Sequence, residues 1–346
     1  MTNIIGMKIK PHAILHRAKF RKNDEFYTRL EDIEKEMIHY KEHFKNAIIY
    51  CNCDNPRYSN FWKYFHLNFK QLKLKKLIST HISSKSYVME YTGGNDDNIS
   101  SGKITLLKGN GDFRSEECIE LLKQSDIVVT NPPFSLFREF VSFLVKHNKK
   151  FLILGNQNMS ATKEIFPFIM KNEIRYGVSI RKGGMNFYIR DDMVCSSNKM
   201  LLDDNKYGVS LGCVRWFTNL EHGFVPKLLP LVKKYNSKDY PTYDNYNAIE
   251  VNKTKNIPYD YDGIMGVPIT FLDKWNPEQF EILGLCENRD LYGLKSHVYS
   301  TEECQNKYLE LFGKQGRYDL NASGVVNGKL VYKRVLIRKK PNGFSI

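Results

Sequence analysis

The chain has no apolar run approaching the roughly 20 residues that cross a bilayer. Residues 1–10 lack the continuous apolar stretch of a secretory leader. Cysteine is sparse: Cys51, Cys53, Cys118, Cys195, Cys213, Cys286 and Cys304 are scattered and odd in number. That excludes a disulfide framework and suits reduced thiols in a cytoplasm. Cys51 and Cys53 stand one residue apart, a poor spacing for shared zinc ligands, and no other His or Cys pair completes a site, so no metal is expected. Internal repeats and low-complexity tracts are absent, which sets aside solenoids and disordered arrays. Acidic residues are outnumbered, 38 against 52 Lys and Arg, leaving a net charge of +14 in 346 residues. That excess favours a polyanionic partner, and the length allows one large core or two modest ones.

What is present is an alternation of apolar runs and amphipathic stretches. Thr28-Arg29-Leu30-Glu31 offers a capping box, and Leu30, Ile33, Met37, Tyr40 and Phe44 recur at helical steps. A buried strand is expected over residues 47–50, ended by the turn-prone loop 51–56. Helical character follows at 59–65 and strand character at 77–80. Residues 87–91 and 104–107 read as two more strands or a hairpin. A helix over 116–123 precedes a strand at 126–130; Ser135 is placed to cap a helix through His147, and a strand at 151–154 ends in Gly155-Asn156. This alternation predicts an α/β fold, a mostly parallel sheet with helices on both faces, with ligands beyond the carboxyl ends of the strands.

The texture changes near residue 220, where Tyr becomes frequent (Tyr235, Tyr240, Tyr243, Tyr246, Tyr259, Tyr261), dividing the chain into 1–220 and 221–346. Near the end, Asn327-Gly328 signals a hairpin whose second arm runs through Lys333, Arg334, Arg338, Lys339 and Lys340. Such an arm is either a ribbon along a phosphate backbone or a solvated edge strand guarded by lysines.

Asn131-Pro132-Pro133-Phe134 follows directly on the strand at 126–130, where an open α/β sheet presents its site. The tetrapeptide resembles the catalytic motif of amino-methyltransferases. Its physics fits an exocyclic aryl amine, a poor nucleophile because its lone pair is delocalised into the ring. Pro fixes its own φ and holds the residue before it extended. The Asn131 side-chain oxygen and the Pro132 carbonyl can then accept the two amine hydrogens and localise the lone pair, which is positioning plus electrostatic preorganisation. Phe134 would stack on a base flipped out of the helix.

With Asp24-Glu25-Phe26-Tyr27-Thr28, Tyr50-Cys51-Asn52-Cys53-Asp54-Asn55-Pro56, Gly111-Asp112-Phe113 and Gly266-Val267-Pro268-Ile269-Thr270-Phe271-Leu272, the tetrapeptide makes most of the chain resemble the EcoRI-type adenine-specific DNA methyltransferases. The resemblance implies a Rossmann-like catalytic domain over 1–220 and a DNA-recognition region over 221–346. It implies S-adenosylmethionine as cofactor, N6 of adenine in double-stranded DNA as acceptor, and a cognate restriction endonuclease as functional partner, with no membrane. By it, Asn131, Pro132 and Phe134 are catalytic. Phe26, Tyr27 and Thr28 border the methionine end of the cofactor, Cys51, Asn52 and Asp54 form its first loop, Asp112 and Phe113 face its adenine, and Asn131 also touches it. Two departures stand out. The first loop has no glycine, and the second strand ends in Thr80-His81 rather than an acid, so the ribose holder stays open, with Glu90 one option. The rival readings are a methyltransferase of an RNA base or a protein glutamine amide, and a DNA-binding module with a dead cofactor fold.

Overall fold

The computed structural model describes residues 27–180, 184–188, 200–202 and 207–341. Phe26, Cys195 and the basic leader with Arg17, Lys19, Arg21 and Lys22 lie outside them. The chain divides into two compact units between Gly223 and Phe224.

The first unit opens with β1 (Tyr27–Thr28), α1 (Leu30–Met37) and, after a 3-10 turn, α2 (Lys41–Phe44). Ile33, Met37, Tyr40 and Phe44 are fully buried, as their spacing predicts. The capping box does not form. Thr28 is paired in a strand with Phe187, so the helix starts one residue later, behind Arg29, whose guanidinium pairs with Glu31. Glu36, on the same helix, is also fully buried. Its carboxylate accepts from Tyr40 Oη (2.8 Å), the Val178 amide (2.8 Å), and both the amide (2.7 Å) and hydroxyl (2.5 Å) of Ser179. Four donors offset the cost of burying that charge.

The chain then runs through β2 (Ile48–Cys51), α3 (Asn60–Leu67), α4 (Phe69–Leu72), β3 (Lys76–Thr80), β4 (Tyr87–Tyr91), β5 (Lys103–Leu106) and α5 (Glu116–Gln124). After these come β6 (Ile127–Thr130), α6 (Phe137–Lys146), β7 (Lys150–Asn156), α7 (Phe166–Met170) and β8 (Arg175–Tyr176). The unit closes with β9 (Met185–Tyr188), β10 (Met200–Leu201), β11 (Tyr207–Leu211) and β12 (Val214–Thr218). One eight-stranded sheet takes the order β5-β4-β3-β2-β6-β7-β12-β8. A smaller antiparallel sheet takes the order β1-β9-β11-β10.

The expectation of a mostly parallel sheet holds for the centre alone. The three pairs within β3-β2-β6-β7 are parallel, and the four outer pairs are antiparallel. Burial accounts for this at one edge: every residue of β5 is exposed, and an antiparallel strand tolerates solvent where a parallel one, such as the wholly buried β6, does not, whereas β12 is antiparallel although buried throughout. Ser135 does not cap α6. It lies within a 3-10 turn closed by the Leu136 amide donating to the Pro133 carbonyl (2.9 Å), and Leu136 precedes the helix. α6 packs Phe137 over Gly155 of β7, where an added Cβ would stand 2.3 Å from the ring. Only glycine allows that approach.

The second unit holds β13 (Ala248–Glu250), β14 (Ile264–Pro268), β15 (Phe280–Leu285), α8 (Thr301–Phe312), β16 (Val325–Val326), β17 (Lys329–Leu330) and β18 (Arg334–Lys339). The Asn-Gly hairpin forms between β16 and β17, with Asn327 at φ 51° and Gly328 at φ 70°, the left-handed pair this turn needs. Its second arm stops at Leu330. β18 instead enters a second sheet of order β13-β14-β18-β15 as an interior strand, so neither the ribbon nor the edge-strand reading holds for it. Val335, Leu336 and Ile337 are fully buried, and a run apolar on both faces demands cover on both. Its cations are spent within the unit: Arg334 on Glu250 (2.5 Å), Arg338 on Glu281 (2.9 Å) and Lys339 on Asp262 (3.1 Å). Tyr240, Tyr243 and Tyr246 are core residues. Among the described residues no helix is long and apolar enough to cross a membrane.

Candidate active site at the switch point of the sheet

β2 lies at the centre of the large sheet. The chain moves outward from it to β3, β4 and β5, then returns past it to β6. The loops leaving β2 and β6 therefore part in opposite directions at adjacent strand ends, the place where open sheets form ligand crevices. Those loops are 52–59 and 131–136, the two segments singled out by their sequence.

Asp54 ties them together. Its carboxylate accepts from Ser59 Oγ (2.8 Å) and from Thr130 Oγ1, the residue before Asn131. Its amide donates to the Thr80 carbonyl (3.1 Å), and its own carbonyl accepts from Ser79 Oγ (2.6 Å). Ser59 in turn caps α3, accepting from the amides of Phe61 and Trp62. No residue from 51 to 59 has positive φ, so the turn is built from these hydrogen bonds and needs no glycine. That accounts for the glycine-free first loop.

In this region Thr28 Oγ1 and Asn52 Oδ1 are buried without a hydrogen-bond partner. An unmade hydrogen bond at a buried acceptor costs about 1–3 kcal/mol, which a ligand bearing donors would recover. Thr28 is joined to the first loop because Asn60, directly after Ser59, donates to its carbonyl (2.7 Å). Tyr27 is its half-buried neighbour in β1. Cys51 closes β2 with its side chain in the core, where burial first and the Asp54 carboxylate second push the thiol well above its usual pKa.

Within the tetrapeptide, Asn131 is half-buried and Pro132 buried. Phe134 is 8% exposed, with its ring edge-on to Phe187 of β9 at 6.4 Å. The 110–113 loop joins the same edge of the sheet. Ser83 donates to the Asn110 carbonyl (3.0 Å), and Gly111, at φ 77°, passes so close to His81 that a Cβ would lie 2.1 Å from its carbonyl oxygen. Burial and the Asp54 carboxylate are the leading causes that raise the Cys53 thiol, with a smaller contribution from the Asp112 carboxylate.

Asp112 does not cap α5; Ser115 does. Its carboxylate is engaged by Arg114 through Nε (2.8 Å) and Nη2 (2.6 Å), and that guanidinium holds its pKa below the usual value. Arg114 also reaches Glu139 (3.0 Å). Phe113 is 2% exposed and packs edge-to-face on Phe140 (5.0 Å) and Phe143 (5.3 Å). Thr80 shares a hydrogen bond with Tyr50 Oη (2.8 Å). Glu90 pairs with Lys76 at the amino end of β3, away from this site. Sequence reasoning missed Ser59, Ser79 and Thr130; the cap position of Ser59, just ahead of an apolar helix, was the available signal.

The family described as adenine-specific methyltransferase EcoRI matches residues 14–340. The type II methyltransferase M.EcoRI of Escherichia coli is 47% identical, covering 79% of this chain and 89% of that protein. The type II methyltransferases M.MgeORF184P of Mycoplasma genitalium and M.MpnI of Mycoplasma pneumoniae are 40% and 37% identical, each over 94% of this chain and 98% of their own length. No solved structure matches. The chain belongs to the EcoRI family of adenine-specific methyltransferases.

Proposed function

We propose that this enzyme transfers a methyl group from S-adenosylmethionine to N6 of an adenine turned out of duplex DNA, at a specific site. The observation that carries the reading is the emergence of Asn131-Pro132-Pro133-Phe134 from β6 at the switch point, beside a loop whose Asn52 oxygen is buried without a partner. Membership of an adenine-specific family supplies the acceptor base, and the type II names of the relatives support a site in DNA and a cognate restriction endonuclease.

The residues fit the cofactor. Asn52 Oδ1 is an acceptor in want of a donor and the Thr28 hydroxyl can donate or accept, and S-adenosylmethionine carries ammonium and hydroxyl donors and a carboxylate acceptor. When bound, it supplies an electrophilic methyl group on a sulfonium. Tyr27, Thr28, Cys51, Asn52 and Asn131 border it in this reading, with Asp54 beside them; Phe26, which the family resemblance adds, lies outside the described residues. Asp112 and Phe113 line the adenine end from the 110–113 loop, Asp112 sharing its carboxylate with Arg114. The large sheet, with its parallel centre, serves as the Rossmann-like core, residues 221–346 serve as the DNA-recognition region, and the enzyme works in the cytoplasm.

Asn131 and Pro132 hold the target amine by its two hydrogens, so that the nitrogen lone pair is directed at the methyl group, and transfer needs no covalent enzyme intermediate. Phe134 supports the flipped base with an aromatic surface. Asn131→Ala tests the reading. Loss of one preorganised acceptor should lower turnover by about 100-fold or more, a loss far larger than any weakening of the cofactor dissociation constant found by calorimetry. Sequencing of DNA from cells expressing the wild-type protein, with detection of modified adenine, identifies the site. Near-normal turnover in Asn131→Ala would overturn the assignment.

A further inference from the structure

We propose that Asp54 is a positioning residue for methyl transfer, its carboxylate fixing the end of β6 that presents Asn131. The proposal rests on the reading of Asn131 as the residue that binds the amine. By family resemblance Asp54 belongs to the loop that meets the cofactor, yet its bonds point elsewhere. Oδ1 takes the proton of Ser59 and Oδ2 the proton of Thr130. The Ser59 oxygen is already an acceptor from two helix amides, which leaves its own hydrogen for Asp54. The main chain of the same residue is bonded on both sides to β3. One residue thus fastens three adjacent parallel strands, β3, β2 and β6, at their carboxyl ends.

The clasp is buried. Thr130 is fully covered and Asp54 is 9% exposed, so neither hydroxyl has bulk water as an easy substitute. Charge-assisted bonds of this kind are shorter and stronger than neutral ones. Beyond Thr130 the chain has little slack, because Pro132 and Pro133 fix their own φ angles. Displacement of the strand end passes directly to Asn131. An error of about 1 Å in such a group costs on the order of 100-fold in rate, and the carboxylate accordingly acts on kcat through geometry, without touching substrate.

Thr130→Val and Thr130→Ser separate this role from cofactor binding, since neither alters a group offered to the cofactor. Valine keeps the branched shape and loses the hydroxyl; serine keeps the hydroxyl. Thr130→Val should lower kcat by about 10- to 100-fold, with KM for DNA and the cofactor dissociation constant within about twofold. Thr130→Ser should restore most of the rate. A merely structural bond would instead lower the melting temperature and leave the kcat-to-KM balance unchanged. Should Thr130→Val fail to fold, Asp54→Asn carries the test, because its amide can bond both hydroxyls only if one reverses its direction; the same split in kcat is expected. Wild-type kcat in the folded Thr130→Val variant, or a loss in Asp54→Asn confined to cofactor affinity, overturns the proposal. If Asn131→Ala is inactive and Thr130→Val is fully active, only the clasp falls. If Asn131→Ala remains active, the reading of Asn131 itself falls.

Discussion

Asp112 is paired with Arg114, and that pairing sets the direction of its titration. The Arg114 guanidinium, by direct hydrogen bonding, holds the carboxyl below its ordinary value of 3.8, against the opposing effect of burial. A depressed folded-state pKa means that the pair supports the fold in full above the unfolded value and loses that support as pH falls through the folded one. Nuclear magnetic resonance should therefore find the Asp112 carboxyl titrating below 3.8 in the native protein. Arg114→Ala should move the midpoint back towards 3.8. A midpoint unmoved by Arg114→Ala would mean that the ion pair is not formed in solution. Glu36 shows the other way to keep an acid inside: four donors and, among the described residues, no ion pair. Its donors come mainly from residues 178 and 179, far along the chain, so nothing in the helix pattern marked it as a core residue.

Among the elements, β18 makes the sharpest energetic claim. Arg334 and Glu250 are both nearly covered, and Tyr243 donates to the same carboxylate. Removing the cation leaves a buried charge without its partner, so Arg334→Ala should cost about 3–5 kcal/mol in chemical denaturation. Arg338→Ala breaks an ion pair that is about half exposed on both sides, and should cost no more than about 1 kcal/mol. Equal effects would mean that β18 is not an interior strand. The contrast also marks what was legible in the sequence. β2, β3, β6 and β7 were readable because strands buried on both faces are continuous apolar runs, and the Asn327-Gly328 turn because its backbone demands those residues. Strand direction in the wings and the insertion of β18 have no local signature. The same division holds in the site. Asn131 announces itself through its prolines, but the partnership of Asp54 with Thr130 spans 76 residues and is decided by the order of strands.

For the whole molecule, the distribution of charge is unexpected. Residues 1–223 hold 34 Lys and Arg against 24 Asp and Glu, a net +10, while residues 224–346 hold 18 against 14, a net +4. The excess lies more in the unit with the tetrapeptide than in the proposed recognition region, several of whose cations are paired internally. DNA affinity should fall linearly with salt on logarithmic axes, with a slope of about −0.9 for each phosphate neutralised. A slope near zero would remove the electrostatic part of the reading.

The antiparallel wing also sets a timetable for the chain as it is made. When β7 leaves the ribosome, β6 waits to pair with one of its edges, but β12, which pairs with the other from Asn156 to Leu152, has not been translated. Phe151, Leu152, Ile153 and Leu154, all fully buried in the finished sheet, border an open edge until Val214 and the residues after it emerge. At about 5–20 residues per second that interval lasts several seconds. Open apolar edges are where growing chains adhere to one another. The loops that carry Asp54 and Asn131 are thus synthesised well before the strand that seals their sheet, and the edge of β7 stays open while the chain grows from Asn156 to Val214.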